Sequence, residues 1–360
     1  RAFFEGLIPE EGQRDAIAAA LGVSKGNEFA ILEQIGGDVA GALSLWPEGQ
    51  KPPTAHASMR PEPLSDDELV AILERLPTRP MLAGEEGLRL SLAGAQSKLP
   101  VVVDKGMVSL PAPGQPTTHI LKPPIARFKA TTENEAFAMR LAASVGLTAA
   151  PVEIKHVRGR PFLLVERYDR ARNNGGTRRL HQEDFCQALG LPPTKKYACE
   201  GGPGFSQCFD LLRRVATRPA IEVLKLLDAA IFNVLIGNAD AHGKNYSLLY
   251  HGQAVTMAPL YDLLSTIAYP DLSPVFAMKV AKRGKLQEIQ GNDWATFAKS
   301  AGLSAPFVQR RVQELATKVS QQAEPTANDL STGEADSPAL ARFQALALHR
   351  AEIALRNVKT

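Results

Sequence analysis

Along residues 1–48 the apolar positions recur at helical spacing. FFEGL, AIAAALG and EFAILEQIG each read as a short helix, punctuated by Gly22 and by the Gly36–Gly37 pair. KPPTAHASMRPEP, residues 51–63, is rich in proline and reads as a connector. Ser65 then precedes DDELVAILERL with Glu68 three residues on, a capping-box spacing that predicts a helix start. From about 88 to 122 the pattern changes to strands and turns, in RLSLAGAQSK, LPVVVDKGMVSLP and HILKPP. TTENEAFAMRLAASVGL (131–147) returns to helix. Thr132 is its expected cap, with Glu135 three residues later; Phe137, Leu141 and Val145 share a face, and Gly146 closes it. PVEIKHV and RPFLLVERYD are two further strands. The succession predicts a small antiparallel sheet with one helix packed on it.

RARNNGGTRR (170–179) is polar, basic and glycine-bearing, and reads as a linker or exposed loop. Beyond it the pattern is mostly helical. HQEDFCQALGL and FSQCFDLLRRVA are two helices, and AIEVLKLLDAAIFNVLIG is apolar enough for a core helix ending at Gly237. YSLLY and AVTMAPL flank His251–Gly252–Gln253 as a hairpin. ALARFQALALHRAEIALRN closes the chain as a helix, and no internal repeat is present. The expectation is an α+β chain with a helical N-terminal subdomain (1–50), a β-rich lobe (51–172) and a larger helical lobe (173–360).

Composition adds little to this picture and excludes several classes. The 360 residues exceed one compact domain, and 44% hydrophobic with 22% charged residues is ordinary for a soluble globular chain. A net charge of +3 neither requires nor forbids a nucleic-acid partner. Cys186, Cys199 and Cys208 form no CxxC pair, so neither a zinc knuckle nor a disulfide framework is implied, and a reducing cytosol is the simplest compartment. No apolar run approaches a membrane span. The sequence opens on Arg1 with no signal-peptide pattern, and its true start is expected upstream.

The chemistry concentrates in IGNADAHGKN, residues 236–245, between the core helix and the hairpin. Asp240 and Asn245 are separated by four residues. Phosphoryl-transfer enzymes of the protein-kinase type use that spacing, with an Asp that orients the attacking hydroxyl and an Asn that coordinates magnesium. Lys244 brings positive charge for a phosphoryl group, and His242 can reach a phosphate. Asn238 follows the C-capping Gly237 and shapes the turn. The same chemistry asks for a second metal carboxylate after the next hairpin, where LYDLLST offers Asp262. It asks for a strand lysine, which HILKPP offers as Lys122. It also asks for a connector that binds adenine through its backbone, offered by Glu166 to Tyr168, and for a phosphate-covering turn, offered by SLAGAQSK (91–98). Each residue has an ordinary alternative. Asp262 can be a helix cap, Glu166 and Arg167 a surface charge pair, and SLAGAQSK a tight turn. The order of the pieces is what favours the kinase assignment.

Taken together, SLAGAQSKLPV, HILKPP, ENEAFAMRLAASVGL, LLVERYDR, LHQEDFCQALGLPPTKKY with its following GGPG, NADAHGKNYSLL and LYDLLST resemble the HipA family. These are the serine/threonine-kinase toxins of bacterial HipBA toxin–antitoxin systems, and the resemblance runs from the N-terminal helices to at least residue 270. Family members typically begin with a further β-rich segment that is not seen here. The resemblance implies a two-lobed, protein-kinase-like fold and phosphorylation of a protein serine with ATP and Mg2+. It places the catalytic base at Asp240, magnesium at Asn245 and Asp262, and the phosphate lysine at Lys122. The hinge falls on Glu166, Arg167 and Tyr168, nucleotide contacts on His242, Lys244 and Tyr261, and the phosphate loop on Ala93, Gly94, Ala95, Gln96, Ser97 and Lys98. Ser91 matches an inactivating autophosphorylation site; nearly two added negative charges beside a phosphate cradle would repel it. Glu133 and Glu135 both lie on the helix that supplies a partner for Lys122.

The resemblance further implies a helix-turn-helix antitoxin similar to HipB. It implies operator DNA bound through that complex, and a bacterial cytoplasmic location that becomes nucleoid-associated in the complex. The implied substrate is an aminoacyl-tRNA synthetase such as glutamyl-tRNA synthetase. Arg310–Arg311 and HRAEIALRNVK are basic patches that suit either DNA or a plain exposed helix face. The competing assignments are a small-molecule phosphotransferase and a non-catalytic co-repressor.

Overall fold

The computed structural model describes residues 1–51, 53, 61–173, 176–281 and 283–358. They divide into two compact units, residues 1–132 with 152–183 and residues 133–151 with 184–360. The expected connector at 51–63 lies largely outside the described residues. The units are a β-rich lobe and a larger helical lobe, the α+β class expected from the pattern.

In the first unit, α1 (Ala2–Glu5), α2 (Glu11–Leu21) and α3 (Glu28–Ile35) form where the apolar spacing placed them. Leu7, Ile8, Ile17, Ile31, Leu32 and Ile35 bury together with Leu92. Helix α4 (Asp66–Arg75) begins at Ser65 with both bonds of the capping box present. Its Leu69, Ile72, Leu73 and Leu76 fall at helical spacing and pack on a five-stranded antiparallel sheet. The strands are β1 (Leu99–Asp104), β2 (Met107–Ser109), β3 (His119–Lys122), β4 (Val152–Val157) and β5 (Arg160–Glu166), in the order β2-β1-β3-β5-β4. The helix that shares a core with the sheet inside this unit is therefore α4. The helix expected in that role, α5 (Thr131–Ser144), groups from Glu133 onward with the second unit.

The described residues of 170–179 form strands rather than a linker. β6 (Arg170–Asn173) pairs antiparallel with β7 (Gly176–Arg179), placing Arg170 opposite Arg179. Both arginines turn inward to one carboxylate: Arg170 Nη2 lies 3.0 Å and Arg179 Nε 2.7 Å from Asp38 Oδ1. Arg167 Nη1 reaches Asp38 Oδ2 at 3.2 Å, and its Nη2 donates to Asp169 Oδ2 at 2.8 Å. The Thr117 hydroxyl donates to Asp38 at 2.6 Å and the Gly41 N–H to Asp169 at 2.7 Å. Asp38, Arg167 and Asp169 are all buried. Burial pushes the Asp169 carboxyl up, but the Arg167 and Arg170 guanidiniums pull it further down, to about 2. Burial pushes the Arg170 guanidinium down, to about 10.

Helix α5, which lies mostly in the second unit, starts at Thr131 behind Ala130, whose φ is +56°. Thr132 therefore lies inside the helix rather than capping it, and Gly146 (φ +93°) ends it as expected. The stretch from 181, expected as one helix, stays extended as β8 (His181–Asp184) before α6 (Phe185–Ala188), because Asp184 and Gln187 form a capping box at the later position. α7 (Phe205–Val215) and α8 (Pro219–Ile236) follow, then the hairpin of β9 (Ser247–His251) and β10 (Ala254–Met257). β11 (Val275–Val280), β12 (Arg283–Lys285), α9 (Gly291–Ser300), α10 (Ala305–Ser331) and α11 (Ser337–Val358) complete it. Helix α8 is buried along most of its length, and Phe205, Phe209, Trp294 and Phe297 form an aromatic cluster beside it in the fold.

Two arginines of the expected basic patches are committed internally. Arg311 forks onto both oxygens of Asp228 at 2.6 and 2.7 Å, and Arg350 is buried against the carbonyls of Val234 and Leu286. Among the described residues no helix is long and apolar enough to cross a membrane.

Removing Asp38 leaves three guanidiniums facing a buried space. Asp38→Ala is expected to cost about 3–5 kcal/mol in chemical denaturation. Asp169 has a lowered folded pKa, so its contribution is present above the ordinary carboxylate value and lost as pH falls through the folded one. Its share of wild-type stability should therefore disappear between the usual carboxylate value and about pH 2, and Asp169→Asn should remove that part of the slope.

Candidate functional site

Helix α8 must end abruptly for the loop after it to exist. It ends at Gly237, which has φ +75° and whose N–H returns to Val234 and Asn233 carbonyls. A Cβ there would lie 2.5 Å from Ile267 Cδ1, so only glycine fits. The next residue, Asn238, is buried; its amide donates to Asn233 Oδ1 at 2.9 Å, and its own Oδ1 accepts the Asp240 N–H at 3.1 Å. This is the turn-shaping role expected for it. The carbonyl of Gly237 accepts the N–H groups of Thr266 and Ile267 at 3.0 and 3.2 Å, and Thr266 Oγ1 accepts the Ala239 N–H at 2.8 Å. The loop is thus fastened on both sides of Asn238, and Asp240 emerges exposed just after the fastening.

The rest of the loop is equally constrained. Asn245 Oδ1 accepts the His242 N–H at 3.0 Å, while Asn245 Nδ2 donates to Asp262 Oδ2 at 3.0 Å. The two expected metal ligands are therefore in contact. Asp262 has φ +58°, a conformation that costs a non-glycine residue about 1 kcal/mol or more and marks a position held by its surroundings. Lys244 is buried and donates to Asp184 Oδ2 at 2.6 Å, so any phosphate contact it makes is shared with that carboxylate. The Tyr261 hydroxyl donates to the Lys244 carbonyl at 2.6 Å and meets Ser247 Oγ at 2.7 Å, which commits it to supporting the loop. His242 sits edge-on to Tyr197, ring centroids 5.2 Å apart.

A carboxylate and an amide oxygen suit magnesium, which binds through one or two carboxylates and takes the rest of its shell from water and phosphate. The Asn245 carbonyl has a second lone pair beside the His242 bond, so it can serve as a ligand without turning over. Among the described residues no group of three or more His, Cys, Asp or Glu side chains gathers as a metal site.

The remaining expected residues lie in the first unit. Lys122 is buried at the end of β3, opposite Leu163 of β5. The N–H of Arg167 donates to the Thr118 carbonyl at 3.0 Å and its side chain is consumed by Asp38 and Asp169, so it is neither half of a surface pair with Glu166 nor a free hinge donor. Tyr168 hydrogen-bonds Gln182 through its hydroxyl. In the segment Ala93 to Lys98, Gly94 has φ +117° and Lys98 Nζ crosses to the Ala93 carbonyl at 2.8 Å. The N–H of Glu10 donates to the Gly94 carbonyl, and Gln13 Nε2 to Ser97 Oγ at 2.9 Å, so the N-terminal helices hold this loop. Ser91 is fully buried, its hydroxyl donating to the Leu7 carbonyl at 2.9 Å.

Several supporting residues were missed by sequence reasoning. Asp184 carried a local signal, the D-x-x-Q capping spacing with Gln187, but nothing pointed from it to Lys244. Thr266 and Asn134 carried no local signal at all, because their partners are remote in the chain.

The HipA-like C-terminal domain family matches residues 90–324, and the HipA N-terminal domain family matches residues 1–46. The chain belongs to the HipA family. It is 58% identical over 356 residues to the putative kinase Y4mE of Sinorhizobium fredii, covering 98% of this chain and 85% of that one. It is 33% identical over 333 residues to the serine/threonine-protein kinase toxin HipA of Shewanella oneidensis, covering 89% and 75%. A crystal structure of Shewanella oneidensis HipA with HipB and operator DNA superposes with a TM-score of 0.85 at 29% identity, over 100% of this chain and 87% of that one. Within the family this chain is a serine/threonine-kinase toxin of a toxin–antitoxin system, with the corresponding kinase-like two-lobed fold.

Thr266→Val keeps the side chain's shape and leaves the buried Ala239 N–H unpaired. It should lower stability by about 1–3 kcal/mol in urea denaturation, while Thr266→Ser stays close to wild type. Equal midpoints for Thr266→Val and wild type would contradict the fastening.

Proposed function

We propose that this HipA-family kinase transfers the γ-phosphate of ATP to a protein serine or threonine through the loop at 237–245. The observation that carries the reading is the 3.0 Å contact between Asn245 and Asp262. Four residues separate that pair from an exposed aspartate, Asp240, whose backbone is tied down on its N-terminal side. In this reading Asp240 orients the acceptor hydroxyl and takes its proton, and Asn245 and Asp262 hold magnesium. When bound, the ion neutralises charge on the phosphates. Lys122 and the Ala93 to Lys98 segment receive the phosphates, and the backbone at Glu166 to Tyr168 receives the adenine. The Arg167 N–H is engaged by the Thr118 carbonyl, so it is not the donor in that contact. His242, Lys244 and Tyr261 line the nucleotide side of the loop, Lys244 in partnership with Asp184.

Ser91 is the proposed autophosphorylation site. A phosphate cannot occupy its buried position, so phosphorylation and release of the 91–98 segment from Leu7 and Glu10 go together. The resemblance and the matched complex support a HipB-like antitoxin and operator DNA as partners. An aminoacyl-tRNA synthetase such as glutamyl-tRNA synthetase is the proposed substrate, on family resemblance alone.

Incubation with ATP and magnesium followed by intact mass tests this directly. One added phosphate that maps to Ser91 and is absent in Asp240→Asn is the expected outcome. No phosphate in the wild type, with ATP binding intact, would favour a non-catalytic co-repressor. A phosphoproteomic comparison of cells expressing wild type and Asp240→Asn identifies the target.

A further inference from the structure

The segment carrying Asp262 is fastened at two places to one other stretch of chain. Upstream, the Leu260 N–H donates to the Thr148 carbonyl and the Ala150 N–H to the Leu260 carbonyl, both at 2.8 Å. Downstream, the side-chain amide of Asn134 on α5 grips the backbone of Ser265 on both sides. The Ser265 N–H donates to Asn134 Oδ1 at 2.8 Å, and Asn134 Nδ2 donates to the Ser265 carbonyl at 3.0 Å. The same Nδ2 lies 3.1 Å from the Tyr269 hydroxyl. Asn134 has no exposed surface, and Ser265 and Tyr269 are buried around it.

An asparagine is suited to this place because one planar group both accepts and donates, matching the N–H and C=O of a single residue. Alanine can do neither and an ionised aspartate can only accept, while a serine hydroxyl has a single atom for both bonds. The next residue along, Thr266, makes the bonds to Gly237 and Ala239 that fix the Asp240 loop. Ser265 and Thr266 are thus a junction, with α5 on one side and the Asp240 loop on the other. Asp262 lies three residues before this junction in a strained conformation, φ +58°.

We propose that Asn134 is a positioning residue for the metal site: it holds the Ser265 backbone to α5, and so sets where the Asp262 carboxylate stands beside Asn245. The proposal rests on the assignment of Asn245 and Asp262 as magnesium ligands. It goes beyond that assignment in naming what orients one of them. Outer partners of metal ligands commonly matter this way, since a ligand that can drift binds its ion more weakly. A purely structural Asn134 would instead affect stability and leave magnesium affinity unchanged.

Two variants remove different halves of the grip. Asn134→Asp keeps the acceptor for the Ser265 N–H and loses the donor to its carbonyl. Ser265→Pro removes the N–H while leaving Asn134 intact, and the φ of −79° at Ser265 suits proline. The measurement is ATP binding by calorimetry across a magnesium series, beside the kinase rate over the same series. In each variant the magnesium concentration giving half the full enhancement of ATP affinity should rise about tenfold. ATP affinity without magnesium should stay as in the wild type. Amide hydrogen exchange in the ligand-free protein gives an independent readout: the Thr266 N–H, next along the junction, should exchange faster in both variants. Wild-type magnesium dependence in either folded variant would overturn the proposal. If ATP binding to the wild type itself is indifferent to magnesium, the metal-site assignment fails first and this proposal falls with it.

Discussion

Helix α8 stops at Gly237, and the backbone released there is captured by Thr266. That capture is the constraint on which the proposed site depends. Gly237 supplies a left-handed turn that other residues resist, and its carbonyl and the Ala239 N–H are both satisfied by one residue 27 positions from Ala239. Without those bonds a polar loop at the end of a buried helix would carry unpaired backbone groups, each costing about 1–3 kcal/mol. With them, Asp240 projects from a stiff turn and Asn245 meets Asp262. The unfavourable φ at Asp262 is tolerated because Leu260, Tyr261, Ser265 and Thr266 are all tied around it. Strain of this kind is a common feature of sites where a side chain must point in one direction.

The β-rich unit is held by a different device. Asp38 and Asp169 are surrounded by Arg167, Arg170 and Arg179, and this cluster joins the N-terminal helical segment to the end of β5 and to the β6–β7 ribbon. Buried ion pairs of this sort contribute little net stability over a well-packed apolar core. They do make the arrangement costly to break, because any missing member leaves an uncompensated charge. Tyr168 sits between two members of the cluster, so the backbone proposed to meet adenine is fixed from both sides.

The legible parts of the chain were those written locally. Ser65 with Glu68, Gly22, Gly146 and Gly237 each mark a helix end within a few residues, and the structure has the ends there. The hairpin at 247–257 was equally plain from two apolar runs around Gly252. The decapeptide stood out because its polarity interrupts a buried stretch. What stayed hidden was set by partners far along the chain. RARNNGGTRR has the composition of an exposed loop; its two end arginines turn inward only because Asp38, over 130 positions away, waits for them. Thr132 looked like a cap because Glu135 follows at the right spacing, but the left-handed Ala130 starts the helix two residues sooner. Asn134 stands between two glutamates, and its partner Ser265 is 131 positions away. Lys244, expected to face phosphate, has a carboxylate partner that only the fold brings to it.

The most direct measurement is an experimental structure of the protein with magnesium and a non-hydrolysable ATP analogue. The expected result is one or two metal ions bound by Asn245 Oδ1 and an Asp262 oxygen at about 2.1 Å, with the γ-phosphate facing Asp240. A nucleotide bound with its metal on neither Asn245 nor Asp262 would contradict the assignment of this loop to phosphoryl transfer.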